Sequence, residues 1–170
     1  MPAKSFVRRV SGRFQEILGI VVSAGAPNAG DVAVLDDAGR FDVSVMPSGF
    51  GQDTTQAAAT ESITAPALVN LYLANGVQSV RNADNSVEGK EANGFVLASV
   101  ASGATGTINL SGTLTGLAGL TIDARYYLGT VGGVTATPIT GAGKVDQLIG
   151  KATSATAIAF RAHDYVVKAA

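Results

Sequence analysis

The chain has 170 residues, which suits one domain with an appended segment, and its 12 basic and 13 acidic side chains give a net charge of −1. So small a net charge provides no electrostatic field to hold nucleic acid or an anionic membrane, and neither is expected as a partner. Cysteine is absent, which excludes disulfide scaffolds and thiolate metal sites.

The composition is rich in apolar residues and poor in charge. Hydrophobic residues make up 46% of the chain and charged residues 15%, whereas roughly a quarter is usual for the charged fraction. A surface with so little charge predicts that much of the outside is buried against other protein, as in a stable homo-oligomer. The alternative is a monomer with a neutral surface of threonine, serine and alanine.

The first residues carry a cluster of cations, Lys4, Arg8, Arg9 and Arg13. No apolar segment of the kind found in a secretion signal follows them. The apolar run at residues 17–26 contains glycine and is too short to cross a bilayer, so a membrane anchor is not expected.

Residues 1–52 contain short extended runs broken by turns. Ile17–Val22 is β-branched and predicts a strand, because Gly19 disfavours the alternative helix over Phe14–Val22. Val32–Leu35 is a second short extended run, and Pro47–Asp53 has the composition of a linker. These pieces predict an extended N-terminal arm and linker with little core of its own.

From residue 53 onward, strand-forming runs alternate with turn residues, which is typical of an antiparallel sheet. Asn75-Gly76 and Gly132-Gly133 each predict a two-residue hairpin turn with positive φ. Gln56–Ser62 is alanine-rich and stays ambiguous. The predicted strands are Ala67–Leu73, Val77–Arg81, Phe95–Val100, Thr105–Leu110, Thr113–Leu114, Ala124–Leu128, Val134–Thr137, Leu148–Ala152, Thr156–Phe160 and Tyr165–Lys168. Roughly eight to ten short strands at this spacing predict an all-β fold, an antiparallel β-barrel or sandwich over residues 53–170.

Few residues in the sequence are of the types found in catalytic, phosphate-binding or metal sites, and their spacing does not match the known motifs. His163 stands beside Asp164, but no Gly-x-Ser-x-Gly elbow accompanies them. Gly141–Lys144 lacks the second glycine and the hydroxyl residue of a phosphate loop. The loop Asn82–Glu88 has oxygen ligands without the spacing of a calcium loop, so a solvated turn is expected; Asp36-Asp37 lies in a predicted turn. No catalytic, cofactor-binding or metal site is predicted, and the chain is not expected to be an enzyme.

Two groups of residues resemble a known family. Leu-Asp-Asp-Ala-Gly-Arg-Phe-Asp-Val-Ser-Val-Met-Pro at residues 35–47 resembles the linker segment of bacteriophage virion proteins. Glu88-Gly-Lys-Glu-Ala-Asn-Gly-Phe-Val, Arg125-Tyr-Tyr-Leu-Gly and Gln147-Leu-Ile-Gly-Lys-Ala are similar to the β-domain of phage capsid decoration proteins, also called head fibre or cement proteins. The resemblance implies a virion protein that binds the major capsid protein on the outer capsid surface, commonly as a trimer, after synthesis in the host bacterial cytoplasm.

Capsid attachment is expected in the arm, because an extended segment gains a large contact area. The predicted contacts are three arginines suited to carboxylates and three aromatic anchors, namely Arg8, Arg9, Arg13, Phe6, Phe14 and Phe41. The alternative function is a tail-fibre or adhesin module that binds a bacterial surface glycan. A small hydrolase built on a β scaffold is the third interpretation and ranks last.

Overall fold

A computed structural model describes residues 5–46 and 53–169. The chain divides into two compact units, Met1–Gly51 and Gln52–Ala170, each with its own architecture. The described residues form thirteen strands and two short 3₁₀ turns, at Ala26–Asn28 and Val43–Val45, and the predicted all-β class is confirmed. Among these residues no helix is long and apolar enough to span a membrane. Lys4 and most of the predicted linker Pro47–Asp53 lie outside the described residues.

The first unit contains a β-hairpin of β1 (Ser5–Val10) and β2 (Arg13–Leu18). Its tight turn places Ser11 and Gly12 at positive φ, 49° and 82°, as a type I′ turn requires. The predicted strand Ile17–Val22 is therefore misplaced, because this turn fixes the register of β2 four residues earlier and the strand ends before Gly19. The extended arm is not confirmed either, since these residues form a compact unit.

In the second unit, five strands close into a barrel in the order β3-β5-β4-β6-β7. They are β3 (Thr54–Ala59), β4 (Ala67–Ala74), β5 (Val77–Asn82), β6 (Gly94–Val96) and β7 (Thr105–Asn109). The β3–β5 pair is parallel and the other pairs are antiparallel. A seam closes the barrel between β6 and β7 through one residue pair, Phe95 and Asn109.

A second sheet follows in the order β10-β9-β11-β12-β8, with β13 paired to β11. Its strands are β8 (Ser111–Thr115), β9 (Arg125–Leu128), β10 (Val134–Thr135), β11 (Val145–Ser154), β12 (Ala157–Arg161) and β13 (Tyr165–Val167). The long central strand β11 has three neighbours because β13 pairs along residues 145–147, whereas β9 and β12 pair along later residues, with register shifts between Leu148 and Gly150 and between Ala152 and Ser154.

Strand β4 joins the cores of the barrel and the second sheet. Val69 packs in the barrel interior, whereas Leu68 points the opposite way into the cluster of the second sheet. This cluster includes Phe95 and Phe160, whose rings meet edge to face with centroids 5.2 Å apart. Burying a leucine or phenylalanine side chain contributes about 2 kcal/mol. Burial on both faces explains why β4 reads as a nearly continuous apolar run.

The two predicted glycine turns differ in outcome. The Asn75-Gly76 turn is confirmed, with φ of 51° and 78° and a register that pairs Ala74 with Val77. A hairpin also joins β9 to β10, but its loop has five residues and the positive φ values belong to Val131 and Gly132. The predicted two-residue turn at Gly132-Gly133 is therefore displaced by one residue, and the N–H of Gly133 closes the turn on the carbonyl of Thr130 at 3.0 Å.

The predicted strand Phe95–Val100 is too long. Strand β6 ends at Val96, and Leu97 is exposed instead of covered on both faces. The hydroxyl of Ser99 accepts a hydrogen bond from the N–H of Ala65 at 3.0 Å, and Val100 makes an isolated bridge to Ile63. Residues 97–100 are thus held by contacts with residues 63 and 65 instead of continuing the ladder of β6.

Candidate interaction surface

The β1–β2 hairpin presents two different faces. Residues directly opposite each other in an antiparallel pair share a face, and faces alternate along each strand. One face, here the Arg8 face, carries Phe6, Arg8, Arg13, Gln15 and Ile17. The other, here the Arg9 face, carries Ser5, Val7, Arg9, Phe14, Glu16 and Leu18.

An apolar groove lies at the Phe6 end of the Arg8 face. It has a volume of about 300 Å³ and is lined by Phe6, Ala33, Val34, Leu35 and Phe41. Two backbone hydrogen bonds connect the segment that contains Val34 to Ile20. The N–H of Ile20 donates to the carbonyl of Val32, and the N–H of Val34 donates to the carbonyl of Ile20, both at 2.9 Å.

Gly19 allows the hairpin to approach this groove closely. A Cβ at position 19 would collide with the side chain of Val34 and stand 3.1 Å from the ring of Phe6. The glycine that disfavours a helix in the sequence is thus needed for packing in the structure.

The structure divides the six predicted contact residues into two sets. Phe6 and Phe41 line the same groove, and Arg8 and Arg13 lie on the face that carries Phe6. Arg9 and Phe14 lie on the opposite face, where they are directly paired. All six side chains are exposed, and their role as capsid contacts stays a prediction.

Charges are unevenly distributed along residues 5–46. The hairpin has three arginines and one glutamate, whereas residues 19–46 have four aspartates and one arginine. Within the described parts of the chain, none of Arg8, Arg9 and Arg13 makes an ion pair or a side-chain hydrogen bond. The hairpin is therefore a basic and apolar surface whose charged groups are available for binding.

Two aspartates of the same unit, Asp36 and Asp42, accept hydrogen bonds from nearby backbone N–H groups. Asp36 Oδ1 accepts hydrogen bonds from the N–H groups of Ala38 and Arg40 at 2.8 Å, which confirms the predicted Asp36-Asp37 turn. Asp42 accepts from the N–H of Ser44 at 2.9 Å, and its hydrogen bonds to Ser44 lower the pKa of the Asp42 carboxyl.

Residues Val7, Glu16 and Leu18 belong to the surface but were not predicted from the sequence. The signal for them was present, because Ser11-Gly12 has the composition of a hairpin turn and fixes which residues face each other. Taking Ile17–Val22 as the strand concealed that register and, with it, the alternation of the two faces.

Elsewhere the second unit offers two open cavities of about 410 Å³ each. One follows the β6–β7 seam between Leu97–Ala101 and the outer edge of β7. The other has a mixed polar and apolar lining, formed by Asn85, Ser86, Gly129, Thr130, Gly133, Val134, Thr135, Ile139 and Lys144.

Two of the stretches considered for chemistry make hydrogen bonds within the fold. His163 is exposed, and its carbonyl accepts a hydrogen bond from the buried Gln147 amide at 3.0 Å. In the described part of the chain, no group of three or more potential metal-ligating residues comes together. The loop Asn82–Glu88 is only partly the solvated turn that was expected, because Asn85 is buried and donates to the carbonyl of Leu128 at 2.7 Å.

Comparisons with known proteins give a similarity to a solved structure. No protein-family model matches the chain, and no curated protein matches it. Among solved structures, the chain is similar to the N base of the head fiber gp8.5 of bacteriophage phi29, with 13% sequence identity and a TM-score of 0.45. The match covers 67% of this chain and 99% of that chain. A similarity of this size supports no conclusion about function.

Proposed function

We propose that this chain is a bacteriophage virion structural protein that decorates the outer surface of the capsid. The observation that carries the proposal is the basic and apolar Arg8 face, where Phe6 and Phe41 border one groove and Arg8 and Arg13 have no partner in the described residues. Exposed aromatic and arginine side chains are the types that dominate binding interfaces. The sequence resemblance to capsid decoration proteins supplies the class of partner, the major capsid protein.

The proposed protein acts by binding alone. It is a homo-oligomer, with a trimer favoured, made in the host bacterial cytoplasm and located on the virion. No catalytic step and no cofactor belong to the proposal. Hydrophobic residues make up 46% of the chain and charged residues 15%, and a surface so poor in charge supports association between copies.

Co-sedimentation of the purified chain with bare mature capsids tests the proposal. We expect the parent to pellet with capsids and the double variant Arg8→Glu/Arg13→Glu to bind at least about tenfold more weakly, because like charges then face the acidic groups of the shell. Arg161→Glu is the matched control, since Arg161 is an exposed strand arginine of the second unit. Absence of the parent chain from the capsid pellet would refute the proposed function.

A second candidate function, glycan binding by a tail-fibre or adhesin module, is favoured by the cavity of the second unit that Asn85 and Lys144 line. Lys144, Ser86 and Thr130 place an ammonium and two hydroxyls around it, which suits a polyhydroxylated ligand. Binding to a bacterial surface glycan that Lys144→Ala abolishes, together with no binding to capsids, would favour this function.

A further inference from the structure

The apolar side chains of the Arg9 face are more exposed than Phe6 and Ile17 on the opposite face. Exposed fractions are 72% for Val7, 79% for Phe14 and 62% for Leu18. A two-stranded hairpin is marginally stable in water by itself, and apolar side chains grouped on one face indicate an interaction site. Something is therefore expected to cover this face in the functional assembly.

The same face carries one cation and one anion on opposite strands. Arg9 lies on β1 opposite Phe14, and Glu16 lies on β2 opposite Val7, so the two charged residues are diagonal neighbours. Across residues 5–46 and 53–169, neither side chain makes an ion pair or a side-chain hydrogen bond. The face thus offers one unpaired charge of each sign beside an apolar stripe.

We propose that the Arg9 face is the contact between copies of this chain. Arg9 of one copy pairs with Glu16 of a second copy, and Val7, Phe14 and Leu18 are buried between the hairpins. A second copy is the occupant because one sequence supplies both charges in complementary positions, whereas an acidic shell surface would repel Glu16. Where the rotation from one copy to the next closes, a contact in which the cation of each copy meets the anion of the next forms the ring of a cyclic oligomer.

This inference rests on the proposed function for the existence of an oligomer, but it divides the hairpin between two tasks. The Arg8 face contacts the shell, and the Arg9 face contacts the neighbouring copy. Adjacent residues of one strand, Arg8 and Arg9, then serve different partners because they point to opposite faces.

Charge reversal on the full-length chain tests the assignment, with molar mass measured by light scattering and equilibrium sedimentation. The variants are Arg9→Glu, Glu16→Arg and their combination, and Arg8→Glu is the control with the same charge change one residue away. We expect a parent mass of several times the 17.1 kDa chain mass. Each single reversal raises the dissociation constant at least about tenfold, and the combination restores it to within about threefold of the parent.

Phe14→Ser is a second variant, independent of charge, and it is also expected to weaken association. Circular dichroism checks that each variant is folded. The substituted side chains are exposed, so we expect the fold to be kept. Arg8→Glu is expected to keep the parent mass and to weaken capsid co-sedimentation. The assignment is overturned if the parent runs as a monomer, if Arg9→Glu and Phe14→Ser keep the parent mass, or if the combined reversal fails to restore association. The assignment is also overturned if Arg9→Glu associates normally but no longer binds capsids. The Arg9 face would then be the contact with the shell.

Discussion

Val131 and Gly132 form the centre of the turn between β9 and β10, and both have positive φ, 50° and 74°. The turn is anchored to the barrel, because Gly132 donates to the carbonyl of Ala83 at 2.7 Å and its own carbonyl accepts from the N–H of Leu68 at 2.8 Å. The two adjacent positions thus differ in the substitutions that they tolerate. Gly132 is enclosed, whereas the side chain of Val131 is 68% exposed.

Replacement of Gly132 by valine is expected to be severely destabilising. A Cβ there would stand 2.9 Å from both the Cβ of Ala67 and the carbonyl oxygen of Leu68, and valine resists positive φ. Steric and conformational costs together predict a loss of about 3 kcal/mol or more in the free energy of unfolding. Urea titration of Gly132→Val measures it, and a midpoint equal to the parent's would contradict the close approach.

Replacement of Val131 by asparagine is expected to have the opposite sign. Asparagine tolerates the left-handed conformation that strains valine, and Asn-Gly is a favoured pair in type I′ turns. The backbone N–H of Val131 that donates to Asp84 is retained in the variant. We expect a gain of about 1 kcal/mol, seen as a higher melting temperature by calorimetry; a lower melting temperature would show that the valine side chain has a packing role.

At the scale of elements, the loop between β5 and β6 is tied to the β9–β10 turn by Asp84. Its carboxylate accepts hydrogen bonds from the N–H of Ser86 at 2.8 Å and from the N–H of Val131 at 3.1 Å. Burial raises the pKa of Asp84, but the hydrogen bonds from Ser86 and Val131 outweigh it, so the pKa lies below the ordinary value of 3.8. The ionised carboxylate therefore stabilises the contact of these two loops.

Because the pKa of Asp84 is lower in the folded state, its contribution to stability is present above the unfolded pKa near 3.8 and is lost as the pH falls through the folded pKa. Asp84→Asn is expected to cost about 1 to 2 kcal/mol at neutral pH, since hydrogen bonds to a charged group are lost. The variant also loses less stability than the parent as the pH falls below the ordinary carboxyl pKa of 3.8. Urea titrations from neutral to acidic pH check this, with the exposed Asp164→Asn as control; parallel pH profiles for Asp84→Asn and the parent would contradict it.

Elements closed by local turns could be predicted from the sequence, whereas pairings between distant segments could not. Asn75-Gly76 joins neighbouring strands, and these two adjacent residue types by themselves favour a type I′ turn. The parallel β3–β5 pair and the contact of Asp84 with Val131, 47 positions apart, depend on barrel closure and leave no local signature. The hairpin surface was half predicted for a different reason: its residue types were visible, but its faces depend on the register that the Ser11-Gly12 turn fixes, and the predicted strand Ile17–Val22 concealed that turn.

At the scale of the whole molecule, the second unit contains the two large buried clusters and the first unit mostly exposed apolar side chains. The barrel cluster is centred on Val69, Val80 and Ile108, and the cluster of the second sheet on Leu68, Phe95 and Phe160. Buried apolar area is the main stabilising term in folding, so the second unit is expected to hold most of the stability. The first unit is then the part that gains most from a partner.

A truncated chain that begins at Gln52 tests this division of tasks. Both clusters lie entirely within residues 57–160, so the truncated chain should keep its β-type circular dichroism and a cooperative melt within about 5 °C of the parent's main transition. It lacks the Arg8 face and the Arg9 face, and we therefore expect it to run as a monomer and to stay in the supernatant when bare capsids are pelleted. Decoration of capsids at the parent's affinity would place attachment in the second unit. Unfolding of the truncated chain would show instead that residues 1–51 complete the core, because only lost packing explains the collapse of a unit whose own buried residues are all present.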